Sequence, residues 1–467
     1  MKKTVLYLLL GVGLIGGFSL LRPPDGLSLE AWRLFGLFLI TIFFLVLRPF
    51  PEPVILILSI TATGFLSIPL QDLLIGYTDS ILWLTITAMI MSIGLKKSGL
   101  TERAALGLIH RFGRTSLRLG YIVSFLDLVL ASCTPASPAR TGSIVYPLVR
   151  GMIEGCKQGN KPVPSELGAY LILLIYMASM HTGAIFMTGM VPNVLNAKIA
   201  HELLGIDVSW MLWLVGAVPG LLSFLAVPWI VYRLCPPTLQ NLDAFAGQTA
   251  ARLAALPPMA KKEYLAAGVF LMVLSLWSTE TWTGINTTWV GFLGVSFMLC
   301  FNIVEWKDIS AASGIWSLLT WFGAIMGFST AMMQTGFFRW FTQLLSSFLY
   351  GVDLPMPLLF LLLALLASIP HYLFASLSAY AVSFGPMLFS FIAVMNIPPY
   401  PAFFLASFLM VISSCLTHYG NALGPMLMGT GMVGKGVWWR CGLLLTLFQI
   451  FVYLTVGLLY WHWLGLW

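Results

Sequence analysis

Apolar residues run along this chain in stretches close to the roughly 20 residues that cross a bilayer as a helix, with charges confined to the gaps. With charges as boundaries, the pattern predicts spans near 4–21, 32–48, 52–70 and 80–96. An amphipathic stretch over 97–118 follows, placing Arg103, His110, Arg111, Arg114 and Arg118 at the headgroups. Residues 119–152 are apolar but interrupted at 132–138 by Ser132-Cys133-Thr134-Pro135-Ala136-Ser137-Pro138. A continuous spanning helix does not place two prolines at its centre, whereas two half-helices meeting at a tip do, so this segment reads as a re-entrant hairpin. The apolar run 167–197 contains His181-Thr182-Gly183 and Pro192-Asn193 and reads as a broken helix, followed by a span at 209–232.

The plan then repeats. Beyond a polar, proline-interrupted stretch at 241–263 come spans near 264–280, 286–304 and 314–334, a surface piece near 336–350, and a hairpin across 355–397 broken at 370–379. A broken helix at 400–434 and a last span at 441–464 complete it. The copies share wording: Ala136-Ser137-Pro138-Ala139-Arg140 with Thr188-Gly189-Met190-Val191, against Ala375-Ser376-Leu377-Ser378-Ala379 with Thr430-Gly431-Met432-Val433. The expected fold is an all-α polytopic membrane protein with about 11 transmembrane helices plus two re-entrant hairpins in two inverted repeats. Residues 1–240 form the first repeat with its N-terminal helices, 241–263 a cytoplasmic linker, and 264–467 the second repeat.

Composition agrees, since 59% of residues are hydrophobic and 9% charged. The net charge of +7 does not indicate nucleic acid, because the basic residues lie between apolar runs instead of on one face. They follow the positive-inside bias from Lys2 and Lys3 to Lys435 and Arg440, with Arg22, Arg33, Lys198 and Arg339 on the other side. That bias places the N-terminus in the cytoplasm and the C-terminus outside, so the two hairpins enter from opposite faces. Lys2-Lys3 and the apolar run after them read as a retained first helix and not a signal peptide, for want of a small-residue cleavage site. The six cysteines show no CxxC pair and read as small apolar residues. No HExxH, GxSxG or paired catalytic Asp is present, which argues against an enzyme.

The hairpin tips carry the candidate chemistry. Ser137 before Pro138 suits an N-cap with proline in the first turn, and Ser376 or Ser378 can cap the second hairpin. Helix starts converging there would attract anions. Thr188 with Asn193, and Thr417, His418 and Asn421, belong to the broken helices and are expected near those tips, forming a polar and mostly uncharged pocket. Each helix start is worth roughly half a positive charge, so two offset about one of a dicarboxylate's charges. The remainder calls for a co-bound cation, a proton on His181 or His418, Arg140 at the rim, or a counter-anion. Arg140 is equally read as a structural anchor, and Asp127, about 15 Å of helix from the tip, as a structural partner.

These segments resemble the divalent anion/sodium symporter family over nearly the whole chain, especially its citrate/succinate antiporters and plastid oxoglutarate/malate translocators. The resemblance is carried by Thr134–Arg140, Phe186–Met190, His371–Ser376, Leu416–Gly420 and the ending Trp461–Trp467. It implies a homodimer whose transport domain moves against a scaffold as an elevator. It also implies substrate contacts at the tips, here Ser137, Pro138, Ser376, Leu377 and Ser378 with Thr188, Asn193, Thr417, His418 and Asn421. Cation binding would fall to Ser132, Ser137, Gly189, Ser376 and Gly420. The sodium-coupled members read Ser-Asn-Thr at both tips, where this chain has Ala136-Ser137-Pro138 and Ser376-Leu377-Ser378. Both amides are gone, and sodium is bound through oxygen, so exchange of di- or tricarboxylates is expected ahead of sodium symport, with an anion channel a remote alternative. No cofactor is expected beyond such sodium ions. The expected setting is a bacterial-type inner membrane.

Overall fold

A computed structural model describes residues 2–155, 165–237, 243–351 and 353–467. Every regular element among them is helical. Among the described residues, eight helices are long and apolar enough to cross a membrane, and nine with a pair bent by 51° at Ala217 counted as one. The shorter apolar helices Leu9–Leu20, Glu52–Thr63 and Thr287–Cys300 belong to the same bundle. The protein is an all-α polytopic membrane protein.

Boundaries shift where local chemistry dictates. The span expected over 52–70 stops at Thr63, because Ser67 turns the chain with φ +58° and Pro69 has no N–H to continue a helix. The span expected over 209–232 is three short helices, Trp210–Gly216, Val218–Phe224 and Val227–Leu234, with Pro219 and Pro228 at the restarts. The surface stretch holds a helix over Leu100–Phe112, entered through Gly99 at φ +86°. The 241–263 stretch, described from residue 243, includes a helix Asp243–Ala255 packed on Leu100–Phe112. Arg103 joins the two regions, donating to both Glu263 carboxylate oxygens at 2.6 and 3.2 Å and to the Pro257 carbonyl at 2.7 Å.

The first hairpin descends along Ser116–Ala131, turns through 132–136, and returns as a π-helix Pro138–Val145 that continues into Tyr146–Gly155. The second descends along Met356–Ser368 and returns along Leu377–Val394. The first broken crossing runs through Ser165–Ile185 and restarts at Val191–Leu204; the second runs through Pro399–Ile412 and restarts at Leu423–Met428. Each hairpin's descending arm packs on the first half of its own repeat's crossing. Each crossing's second half packs on the other repeat's hairpin, with 191–204 against 377–394 and 423–428 against 138–145. This exchange of partners draws both tips and both breaks to one centre.

A second group of helices stands beside the hairpins. Ser313–Gln334 packs on Leu29–Leu47, Glu52–Thr63 and Ser80–Ser98, and Thr287–Cys300 packs on Ser80–Ser98. Polar bridges join the groups: Lys198 of the first broken crossing pairs with Asp79, and Ser329 donates to Glu202 at 3.1 Å.

The last crossing approaches the second break so closely that a Cβ at Gly442 would lie 2.0 Å from the Cys415 carbonyl oxygen. Gly442→Ala is expected to cost about 1 to 3 kcal/mol through overpacking. Thermal unfolding in detergent should fall by several degrees, while Gly436→Ala on the same helix, with no atom within 4 Å of its Cβ position, should leave the midpoint unchanged.

Candidate functional site

The first tip is built around a fully buried cation. Arg140 and Asp127 are 0% and 1% exposed and pair at 3.2 Å. Asp127 also accepts from the Thr141 and Thr182 hydroxyls. The guanidinium donates to the carbonyls of Thr134 at 2.8 Å, Gly189 at 2.9 Å and Ser179 at 3.0 Å. Those of Thr134 and Gly189 lie in the hairpin turn and the helix break, where no helical partner is at hand and the apolar surroundings offer little else, whereas Ser179 lies within the helix Ser165–Ile185. Arg140 is therefore an internal anchor and not a rim residue: its five donors satisfy a tip, a break and a neighbouring helix together.

The first break lies at Phe186–Met190, beyond His181-Thr182-Gly183, which stay helical. The Thr188 hydroxyl donates to the Ser132 carbonyl at 2.5 Å and accepts from the Trp210 indole at 3.2 Å. Asn193 donates through Nδ2 to the Gly183 and Phe186 carbonyls at 2.7 and 2.8 Å, bridging the interruption, while its buried Oδ1 has no protein partner. The Val191 N–H donates to the Pro135 carbonyl at 3.2 Å. Thr188 and Asn193 thus position the break and tie it to the tip, with Asn193 Oδ1 left unpartnered.

Ser137 departs from the expected cap. Its backbone is already helical at φ −58°, ψ −36°, and its hydroxyl makes no capping bond. The Ala136 carbonyl accepts from the Arg140 N–H at 2.9 Å, so the helix starts one residue early, at a cap residue without a hydroxyl. Ser137 Oγ, 2% exposed, instead donates to Asn421 Oδ1 at 3.0 Å. That oxygen also accepts from the Leu423 N–H at 3.0 Å. Pro138 opens the return helix.

The second break supplies the bridge between tips. The Gly420 carbonyl lies 3.0 Å from His371 Nε2 of the second hairpin, and Asn421, the next residue, holds Ser137 of the first. Tyr176 of the first crossing donates to the Ser414 and Thr417 carbonyls at 2.8 and 3.3 Å. Thr417 is buried with Oγ1 unpartnered. His418 turns elsewhere: its Nδ1 accepts from the Trp439 indole of the last crossing at 3.0 Å. His181 is buried, with Nδ1 2.7 Å from the Met177 carbonyl and Nε2 unpartnered.

At the second tip Ser376 is the N-cap of Leu377–Val394, accepting from the Ala379 N–H at 3.4 Å. Leu377 is buried and Ser378 half-buried. The Ser376 hydroxyl donates to Glu52 at 3.2 Å, and Arg48 donates to the Ala375 carbonyl at 2.7 Å. Neither Arg48 nor Glu52 stands out by hydropathy; their signal is the rigid string Arg48-Pro49-Phe50-Pro51-Glu52-Pro53. The residues considered for cations divide between the tips, with Ser132, Ser137 and Gly189 at the first and Ser376 and Gly420 at the second. The carbonyls of Ser132, Gly189 and Gly420 already meet Thr188, Arg140 and His371. A permanently charged guanidinium on the Gly189 oxygen opposes a second cation there.

Two hairpins whose turns both bond to the same broken crossing, inside a helical membrane bundle, are the build of a secondary transporter. The chain belongs to the sodium:sulfate symporter family, whose transmembrane region it matches over residues 2–467. It is 34% identical to the inner membrane protein YbhI of Escherichia coli, over 100% of this chain and 99% of that one. It is 29% identical to the citrate/succinate antiporter of the same species, again over 100% and 99%. Among solved structures it resembles the YdaH transporter of Alcanivorax borkumensis with a TM-score of 0.53 at 16% identity, over 84% and 86% of the chains, a likeness of fold.

Asp127→Asn should destabilise the protein by about 3 to 5 kcal/mol, because it leaves the buried guanidinium without its counter-charge. Arg140→Lys should also lower the thermal midpoint, since one ammonium cannot reach three carbonyls and the carboxylate. Arg150→Lys, in an exposed pair with Glu154, should not change it.

Proposed function

We propose that this protein is a secondary carrier of di- and tricarboxylates, with 2-oxoglutarate, malate and succinate ahead of citrate, and that it works by anion exchange. The observation that carries the reading is the meeting of both hairpin tips on two consecutive residues, Gly420 and Asn421, in a region nearly free of net charge. Residues 354–434 contain no Asp, Glu, Lys or Arg, and Arg140 is neutralised by Asp127. Such a site binds an anion through hydroxyls, amides and helix starts without trapping it as a free cation would. The citrate/succinate antiporter among the relatives supports both the cargo and the mode.

Exchange is preferred to sodium symport on two grounds. The tips lack the asparagine amides of the sodium-coupled pattern, and the Gly189 carbonyl is held by a guanidinium. The family's description as sodium:sulfate symporters keeps sodium coupling as the second reading. In the transport cycle the hairpins and broken crossings form the moving body and the remaining helices the scaffold, in a homodimer. Side-chain bridges such as Lys198 with Asp79 are contacts that sliding can break and remake. With the N-terminus in the cytoplasm of a bacterial inner membrane, Arg48 lies on the cytoplasmic side. Its contact with the second tip corresponds to a site open inward.

Labelled malate and 2-oxoglutarate should enter proteoliposomes only when these are preloaded with carboxylate, equally with sodium or potassium outside. Concentrative uptake into empty vesicles under a sodium gradient would favour symport instead. Ser137→Ala and Ser376→Ala should each reduce exchange about 10- to 100-fold, the worth of a hydrogen bond to a charged ligand, while lowering the thermal midpoint by no more than the loss of one hydrogen bond or helix cap, about 1 kcal/mol, accounts for. Normal flux in the double variant would defeat the site assignment.

A further inference from the structure

The second tip is occupied by a carboxylate of the protein itself. Ser376 Oγ donates to Glu52 Oε1 at 3.2 Å, at the start of the helix Leu377–Val394. Beside it Arg48 Nη2 donates to the Ala375 carbonyl at 2.7 Å and lies 3.7 Å from the same Glu52 oxygen. We infer that Glu52 is a tethered stand-in for a substrate carboxylate, which holds the empty second hairpin to the neighbouring helices until an incoming dicarboxylate takes over Ser376. The inference rests on the carrier reading and on Ser376 as a substrate contact.

The local build suits that role. The pair sits on a connector with prolines at 49, 51 and 53, whose fixed φ angles leave little freedom to lose on docking. Arg48 ends the helix Leu29–Leu47 at φ +50°, its N–H donating to the Phe44 carbonyl at 2.8 Å. A left-handed arginine persists only where its surroundings hold it, and such strain gathers at functional contacts. Arg48 and Glu52 side chains are 36% and 32% exposed, so water and an entering anion reach them. An ion pair this open is weak, as a contact meant to be displaced must be.

The contact also joins the two groups of helices. Arg48 and Glu52 belong to the group around Ser313–Gln334, whereas Ala375 and Ser376 belong to the second hairpin. While Glu52 sits on Ser376, the unloaded hairpin is tied to its neighbours. A substrate carboxylate at Ser376 supplies the same acceptor chemistry and frees Glu52, which removes that half of the tie and leaves the Arg48–Ala375 bond for the moving hairpin to break. The loaded body then crosses while the empty one is held back, which is the condition for exchange without leak. A tether occupied in most empty carriers raises the apparent substrate constant by the inverse of the free fraction.

The test compares wild type, Glu52→Ala and Ser376→Ala in proteoliposomes, loaded and empty, with labelled malate. Glu52→Ala should lower the apparent KM of exchange by about 3- to 10-fold if the tether holds most empty carriers. It should also admit several-fold more malate into empty vesicles than wild type. In parallel, Arg48→Cys with Ala375→Cys should cross-link with a short bifunctional reagent, and malate should suppress the cross-link several-fold. Glu52→Ala indistinguishable from wild type, or a cross-link indifferent to malate, overturns the inference alone, provided wild type exchanges and Ser376→Ala is impaired. Folded Glu52→Ala without any exchange overturns it as well, since it would make Glu52 a required ligand. Wild type without carboxylate flux, or Ser376→Ala with normal flux, removes the carrier reading and the tether together.

Discussion

The interior of this protein depends on finding partners for backbone groups that the broken helices release. A helix interrupted within a bilayer exposes carbonyls and N–H groups that lipid cannot bind, at a cost of several kcal/mol for each one left alone. Arg140 meets much of that demand by donating to three carbonyls from the tip, the break and the adjoining helix. Asp127 balances its charge, and Thr141, Thr182 and Ser179 close the network. The same requirement explains why Asn193 spans its own break and why Thr188 reaches back to Ser132. The polar residues of the first repeat therefore serve largely to make the irregular backbone tolerable. Few of their atoms near the break are left without a protein partner, chiefly Asn193 Oδ1 and His181 Nε2.

The second repeat meets the same constraint with other means. Its hairpin and broken crossing over 354–434 carry no Asp, Glu, Lys or Arg, and its tip is secured by His371 on the Gly420 carbonyl, by Tyr419 donating to the Tyr372 carbonyl at 3.2 Å, and by Arg48 from outside the hairpin. One tip is thus locked from within and the other braced from a neighbouring body. The duplicated architecture is symmetric in path but not in chemistry, and the more loosely held tip is the better placed to respond to an arriving anion.

Much of the fold was legible along the chain. Apolar run length located the crossings, since about 20 residues are needed to pass a bilayer. Proline and hydroxyl clusters located the hairpin tips at 132–138 and 370–379, because those residues cannot sit in the middle of a continuous span. Finer boundaries were less legible: Thr63 ends its helix early at a turn set by Ser67, and the first break falls at 186–190, between His181-Thr182-Gly183 and Pro192-Asn193. Gly183 stays helical because it is packed, with a Cβ there meeting Met190 at 2.6 Å. Ser137 looked like a cap but is a helical residue, since the return helix begins one residue sooner.

Sequence by itself determined the membrane class and the places where the helices break, because each depends on local hydropathy and on the stereochemistry of proline, glycine and serine. Tertiary structure alone decided which of those residues face one another. It buried Arg140 against Asp127 away from any rim, turned His418 toward Trp439, joined Ser137 to Asn421 across 284 residues of chain and set Glu52 on Ser376 across 324. The Ser137–Asn421 pairing follows from how the hairpins and broken crossings exchange partners, and hydrogen bonds between distant segments have no period along a chain from which they could be read.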